Sequence, residues 1–379
     1  MSDHKPIVMC DLAAQRARLE PGLSQAIQRV LDHGQFILGP EVAQLEGELA
    51  QFCGAQHAVT CANGTDAIEL VMMAEGIGQG DAVIVPSFTF VATAEAVATS
   101  GATPVFADVD TQTFNIDPSS VQRCLRVAHE EGLTTRAIVA VDLFGLPADY
   151  AALRKLAAEN NALLIADAAQ SFGAQSPLGA VGTLGDYTTT SFFPSKPLGC
   201  YGDGGAVFTN DSARADLLRS LRFHGKGSGK YDNVRVGMNS RLDTVQAAIL
   251  LEKLAVFRDE LLQRNAVAEF YSANLPAELL TPSIPPGFRS AWAQYTLRCE
   301  GPEQRRSVQT ACEAHGIATA VYYPKALHQQ TGYERFPRDP NGLSNSQLLA
   351  QCVLSIPMHP FLTRSDLEFI VGTTSSAIA

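Results

Sequence analysis

Four short apolar runs recur between residues 82 and 167, separated by stretches of helical character, and this alternation constrains the fold more than any other feature. The runs are AVIVP (82–86), TPVFADV (103–109), RAIVAVD (136–142) and ALLIAD (162–167). Between them lie VATAEAVATSG, PSSVQRCLRVAHEEG and PADYAALRKLAAENN, each rich in alanine or leucine. Strands joined by intervening helices pair in parallel, because a parallel connection needs a crossover and the crossover helices then cover the sheet faces. The pattern predicts an α/β protein with a mostly parallel, doubly wound sheet. In such a sheet ligands bind beyond the carboxyl ends of the strands, so the residues just after each run are where chemistry is sought.

The flanking regions complete the outline. PEVAQLEGELAQFCG sets Val42, Leu45, Leu49 and Phe52 at helical spacing, so the first 55 residues or so read as helical. YTTTSFF and GGAVFTN read as two further short strands around the segment PSKPLGCYGD. A long helix begins near Leu242, and the prolines of TPSIPPG (281–287) lead into an α+β region with AWAQYTLRC, a helix near 303–315, and TAVYYP. The expected division is a large domain over 1–250 and a smaller C-terminal domain over 251–379.

Composition narrows the function classes. The net charge of −11 argues against a general nucleic-acid binder, though basic residues can still line one pocket. Eight cysteines without a C-x-x-C pair fit reduced thiols better than a disulfide framework or a zinc site. No apolar run reaches the ~18–20 residues of a membrane span. The opening MSDHKPIVMCDL lacks the basic and apolar regions of a signal peptide, which predicts a soluble, cytoplasmic protein. The named phosphate and metal motifs are absent: GKGSGKYD (225–232) misses the P-loop pattern, and no G-x-G-x-x-G follows the early strands.

One lysine stands out. Lys196 lies between Pro194 and Pro197, with aromatic residues before it and glycines after it. Asp167 closes an apolar strand, where it is either a helix cap or a buried acid that needs a positive partner. Gly64 and Thr65 open a helix, which is either a simple cap or an anion site, and Ser191 precedes the lysine segment. Phe90, after the strand AVIVP, is a core aromatic or a stacking ring. Together these residues match what pyridoxal phosphate requires: an amine, an acid at the ring nitrogen, a phosphate cup and a flat group on the ring.

The ordered blocks HGQFILGPEVAQLE, CANGTDAIEL, PSFTFVATAEAV, DAAQSFGA, SFFPSKPLGCYGDGGA, GMNSRLDTVQAAIL and SIPMHP span nearly the whole chain. In them the sequence resembles the DegT/DnrJ/EryC1/StrS family of sugar-nucleotide aminotransferases, which have the fold-type-I architecture of aspartate aminotransferase. The resemblance implies that Lys196 forms the Schiff base, Asp167 holds the pyridine nitrogen and Gln170 lies near the ring hydroxyl. It implies that Thr65 and Ser191 bind the phosphate and that Asn239 reaches it from a neighbouring subunit, making a homodimer with shared sites. Gln35, Phe36 and Ile37 match a loop that touches the sugar nucleotide.

Within the family the segments around Lys196 and Asn239 are most similar to enzymes acting on UDP-2-acetamido-2-deoxy-3-oxo-D-glucuronate, with L-glutamate as donor, in lipopolysaccharide or O-antigen biosynthesis. Arg241 is then either a carboxylate ligand or a member of a structural ion pair. Tyr322 and His328 stand near the expected sugar pocket, where members of this subgroup can carry histidine and asparagine. Another UDP- or dTDP-linked keto-sugar is the alternative substrate. A sugar dehydratase is a further reading, although such relatives can replace the lysine with histidine, and so is a regulatory relative without catalysis.

Overall fold

The computed structural model describes residues 5–229 and 231–378. Residues 1–4, where the reading of the N-terminal segment begins, and Lys230 of GKGSGKYD lie outside the described residues. Three helices open the chain: α1 (Leu12–Leu19), α2 (Gly22–His33) and α3 (Pro40–Cys53). The sheet-forming part follows as β1 (His57–Cys61), α4 (Gly64–Ala74), β2 (Asp81–Pro86), α5 (Ala92–Thr99) and β3 (Thr103–Ala107). It continues through α6 (Pro118–Glu130), β4 (Thr134–Val141), α7 (Tyr150–Glu159) and β5 (Leu163–Asp167). A small ribbon of β6 (Gln175–Ser176) and β7 (Gly179–Ala180) precedes β8 (Tyr187–Ser191), β9 (Gly205–Thr209) and α8 (Ser212–Leu221). The long α9 (Thr244–Asn274) leads to β10 (Tyr295–Arg298), α10 (Pro302–Ala314), α11 (Ser344–Cys352), β11 (Val353–Ile356) and α12 (Arg364–Ser376).

The seven-stranded sheet has the order β1-β9-β8-β5-β4-β2-β3. Strands β2, β3, β4, β5 and β8 pair in parallel, while β9 runs antiparallel to both β8 and β1. Alternation along each strand feeds two separate cores. Val83, Val85, Val139 and Ile165 face α4, α5 and α8, whereas Ile84, Ile138, Ala140 and Leu164 face α6 and α7. Both faces are therefore dry, which is why the strands read as unbroken apolar runs. β1 stood outside those runs. It is an edge strand whose partner, β9, lies far along the chain, so pairing rather than local pattern defines it.

The four strands anticipated between 82 and 167 form within two residues of their expected bounds. The expected cut at 250/251 falls inside α9. Leu250, Leu254 and Phe257 pack in the core beside β9, whereas Val267, Ala268 and Tyr271 join Tyr295, Leu297 and Ile370 in the C-terminal core. The chain also crosses that line elsewhere. Ile7 pairs with the backbone around Gly316, and Leu327 and Leu343 pack into the core of the large sheet. Among the described residues no helix is long and apolar enough to cross a membrane, and all eight cysteines are free thiols.

Two buried acids fasten the C-terminal segment to the sheet. Asp108 accepts from the Ser346 amide (2.8 Å), the Ser346 hydroxyl (2.6 Å) and the Asn345 amide (3.0 Å), and so caps α11 from a distant part of the sequence. Asp339 receives the Arg123 guanidinium at 2.6 Å and also accepts from the Ser120 hydroxyl. Removing a buried acceptor leaves its donors unsatisfied at a cost of about 1–3 kcal/mol. Asp108→Ala should accordingly lower the urea midpoint by an amount equivalent to ~2 kcal/mol, and Asp108→Asn by less. An unchanged midpoint would show that water satisfies the first turn of α11 equally well.

Candidate active site

The lysine segment owes its shape to the one reversed strand. An antiparallel neighbour can be reached by a short connection, and residues 192–204 make it between β8 and β9. Its neck is closed by Phe192 N donating to Gly204 O (2.7 Å) and Cys200 N to Phe192 O (2.8 Å). At its tip Lys196 N donates to Phe193 O (2.8 Å). A Cβ at Gly199 would lie 2.6 Å from the carbonyl oxygens of both Phe193 and Pro194, so only glycine allows the return. Lys196 is half-buried, and burial lowers its ammonium pKa while the Asp167 charge opposes the shift.

Asp167 ends β5, the parallel neighbour of β8, so acid and amine leave the same edge of the sheet on adjacent strands. Asp167 is 6% exposed. Its Oδ2 accepts from the Thr93 hydroxyl (3.0 Å) and its Oδ1 from the Ala169 amide (3.1 Å). Burial raises its pKa, and these two hydrogen bonds together with Lys196 pull it back. The positive charge that opposes its burial thus comes from the loop after the neighbouring strand.

Other strand ends contribute aromatic and amide groups. Phe90, 54% exposed, sits beyond β2 with its ring 6.1 Å from that of Tyr323. Gln170 is buried, accepts from Phe144 N at 2.6 Å and donates to the Tyr323 hydroxyl at 3.3 Å. Behind them Asp142, at the end of β4, accepts from the Tyr150 and Ser171 hydroxyls (2.7 Å each) and the Ala148 amide (2.9 Å). Burial pushes its pKa up to about 7. Thr93, Tyr323 and Asp142 were not singled out from sequence. Asp142 gave the same signal as Asp167, a carboxylate closing an apolar run. The other two gave none.

The turn into α4 lies against Ser191. Asn63 caps the helix by accepting from Asp66 N (2.8 Å), which leaves the Gly64 and Thr65 amides at its first turn. A Cβ on Gly64 would stand 2.7 Å from Ser191 Cβ, and one on Gly205 would collide with Asn63 O. Two glycines therefore let the helix start, β8 and β9 meet at close quarters, and the first-turn amides with the Ser191 hydroxyl form a group suited to a phosphate. A buried acid, an adjacent amine, a glycine-formed cradle and an exposed aromatic ring fit pyridoxal phosphate.

The expected substrate residues fall in three places. Gln35, Phe36 and Ile37 are exposed on a loop fixed to the start of α9, where Thr244 N donates to Phe36 O (2.9 Å). Asn239 is exposed, and Ser240 beside it accepts from Ala62 N (3.1 Å). Arg241 lies over the Phe223 ring at 5.4 Å, its buried Nε has no hydrogen-bond partner, and it makes no ion pair among the described residues. Tyr322 is half-buried beside Tyr323, with ring centroids 5.9 Å apart. His328 is placed differently. It is 4% exposed, with Nδ1 2.6 Å from the Ser87 hydroxyl and Nε2 3.1 Å from Gln347 Nε2. The Gln347 amide nitrogen only donates, so the ring is neutral with its proton on Nδ1, in line with the pKa lowering by burial. Neither nitrogen can meet a sugar without breaking one of these contacts. A cavity of about 680 Å³ between α9 and residues 282–292, lined by Phe52, Leu261 and Trp292, includes none of the expected site residues.

Comparison with known proteins follows the same outline. Residues 19–374 match the DegT/DnrJ/EryC1/StrS aminotransferase family. The chain is 45% identical to UDP-2-acetamido-2-deoxy-3-oxo-D-glucuronate aminotransferase of Pseudomonas aeruginosa, over 98% of this chain and 100% of that protein. It is 40% identical to UDP-N-acetyl-3-dehydro-alpha-D-glucosamine 3-aminotransferase of Acidithiobacillus ferrooxidans, over 98% and 97%. The crystal structure of a DegT DnrJ EryC1 StrS aminotransferase from Brucella abortus superposes with a TM-score of 0.95 at 47% identity, over 98% of this chain and 99% of that one. With its fold-type-I sheet and the lysine and acid on adjacent strand ends, the chain belongs to the DegT/DnrJ/EryC1/StrS family of pyridoxal-phosphate-dependent aminotransferases.

Proposed function

We propose that this aminotransferase moves the amino group of L-glutamate to the keto carbon of UDP-2-acetamido-2-deoxy-3-oxo-D-glucuronate, as a cytoplasmic homodimer serving lipopolysaccharide or O-antigen synthesis. The reaction type rests on one observation: Asp167 ends β5, and Lys196 lies in the loop that leaves its neighbour β8 just after Ser191 of the Gly64–Ser191 cradle. The substrate rests on similarity to the Pseudomonas aeruginosa enzyme and on Arg241, whose guanidinium makes no ion pair among the described residues. A second reading, the UDP-linked 3-keto-glucosamine of the Acidithiobacillus ferrooxidans enzyme, differs at the sugar carboxylate.

Pyridoxal phosphate, when bound, supplies an aldehyde carbon for the amine and a conjugated ring that takes up the electron pair released beside the substrate nitrogen. The residues of the chain do the rest. Lys196 anchors the group, and the lowered pKa of its Nζ keeps more of the amine neutral and nucleophilic. Once the substrate amine has displaced Nζ from its bond to the group, the freed amine would take the proton from the carbon next to the substrate nitrogen and redeliver it, acting as base and acid in turn. Asp167 holds a proton at the ring nitrogen with its buried carboxylate, itself oriented by Thr93 and Ala169. The Gly64 and Thr65 amides and the Ser191 hydroxyl would hold the phosphate, and Asn239 of the partner subunit would complete that cup. Phe90 stacks on the ring. Gln170, which donates to the Tyr323 hydroxyl, would lie near the ring hydroxyl. Arg241 takes the sugar carboxylate, and the Gln35–Ile37 loop lies along the nucleotide.

Three experiments test this reading. Lys196→Ala should keep the cofactor only noncovalently and lose turnover by roughly 10³-fold or more; normal turnover with the wild-type absorbance band would remove Lys196 from the chemistry. Asp167→Asn keeps size and hydrogen bonding but loses the charge, and turnover should fall by about 10²–10³-fold with cofactor still bound. Arg241→Gln should raise KM for the 3-oxo-glucuronate about 10²-fold and leave a 3-keto sugar without the carboxylate unaffected. If the wild-type enzyme ignores the glucuronate and turns over 3-keto-glucosamine or a dTDP-linked keto-sugar with glutamate, the narrow substrate is wrong.

A further inference from the structure

Lys253 is the most deeply buried lysine amine the reaction leaves unused. It lies on α9 with 1% exposure, and among the described residues no carboxylate comes within ion-pairing distance of it. An ammonium in such a place costs several kcal/mol of lost hydration, so a leucine or methionine would fill the space at less cost unless the charge has a task. Its Nζ donates to Gly199 O at 2.6 Å and lies 4.2 Å from the centroid of the Tyr201 ring. Burial brings its pKa down to about 8, and the facing groups Cys200 from the loop, Glu260 from α9 and Cys10 from the N-terminal segment act the other way.

Gly199 belongs to the lysine loop, in the turn where its backbone presses on the carbonyls of Phe193 and Pro194. Two helical turns before Lys253, on the same face of α9, Gln246 holds the next part of the loop. Its Oε1 accepts from Tyr201 N (2.8 Å) and its Nε2 donates to Tyr201 O (3.2 Å). Phe192, Leu198 and Cys200 share one apolar core with Leu250, Leu254 and Phe257 of α9. The loop is therefore seated on the helix by packing and aimed by three hydrogen bonds, all on the arm that returns from Lys196.

We propose that Lys253 is a positioning residue for Lys196: by holding the Gly199 carbonyl, with Gln246 holding Tyr201, it fixes where the Lys196 amine stands relative to Asp167. The proposal rests on the reading of Lys196 as the reacting amine. It assigns Lys253 no contact with cofactor or substrate.

The test uses the full chain with Lys253→Met, which keeps the length of the side chain and removes the donor. In the cofactor-free protein, amide hydrogen exchange over residues 192–204 should quicken about tenfold or more, as expected for loss of a charge-assisted hydrogen bond, with the amides of α2 and α3 unchanged. In the loaded protein, the pH midpoint of the visible absorbance band should move by more than about half a unit, as expected when the charges around the amine shift. Wild-type exchange and midpoint in folded Lys253→Met overturn the proposal, as does faster exchange spread evenly through the helices that pack on α9. If Lys253→Met does not fold, Gln246→Leu must loosen the same residues and move the same midpoint, and its failure to do so overturns the proposal equally. Failure of the Lys196 reading shows separately, as a wild-type absorbance band in Lys196→Ala, and leaves the exchange result standing.

Discussion

A carboxylate set at the end of a buried strand keeps its charge only where donors and a cation surround it, and Asp167 organises the site around that need. Two hydrogen bonds and the amine of Lys196 act against its desolvation, while the same desolvation acts on the lysine in the opposite sense. Each group makes the charged form of the other less costly. The sheet order brings this about: β5 and β8 are neighbours, and the reversed β9 returns the chain quickly enough to hold the lysine in a short, stiff loop.

Behind this edge lies a second layer of hydrogen bonds. Asp142, with three donors on its two oxygens, ties the end of β4 to the turn carrying Gln170 and Ser171. Its backbone amide also donates to Asp167 O at 3.1 Å. The two acids thus share a frame while their carboxyl groups face different partners.

Much of this was legible in the sequence, for identifiable reasons. Strands buried on both faces announce themselves as apolar runs, and the proline-flanked lysine with its trailing glycines announced a rigid turn. What stayed hidden depends on partners distant in the chain. β1 exists because β9 pairs with it. Thr93 matters because α5 begins opposite the end of β5, and Tyr323 because the chain returns to the sheet after β10. His328 shows the converse limit. Its position in AVYYPKALH pointed toward the cleft, but the direction of its ring is set by Ser87 and Gln347, which no local pattern reveals.

The attachment of residues 337–339 to β3 has a consequence for biosynthesis. β3 is an edge strand, and its outer side is covered where Phe106 N donates to Pro337 O and Asp339 N to Phe106 O. A polypeptide emerges from the ribosome N-terminus first. The sheet can therefore assemble well before its cover exists, and through that interval β3 presents open backbone groups and apolar side chains to whatever is nearby. A chain that still lacks residues 337–339 therefore leaves the outer edge of β3 open to edge-to-edge pairing.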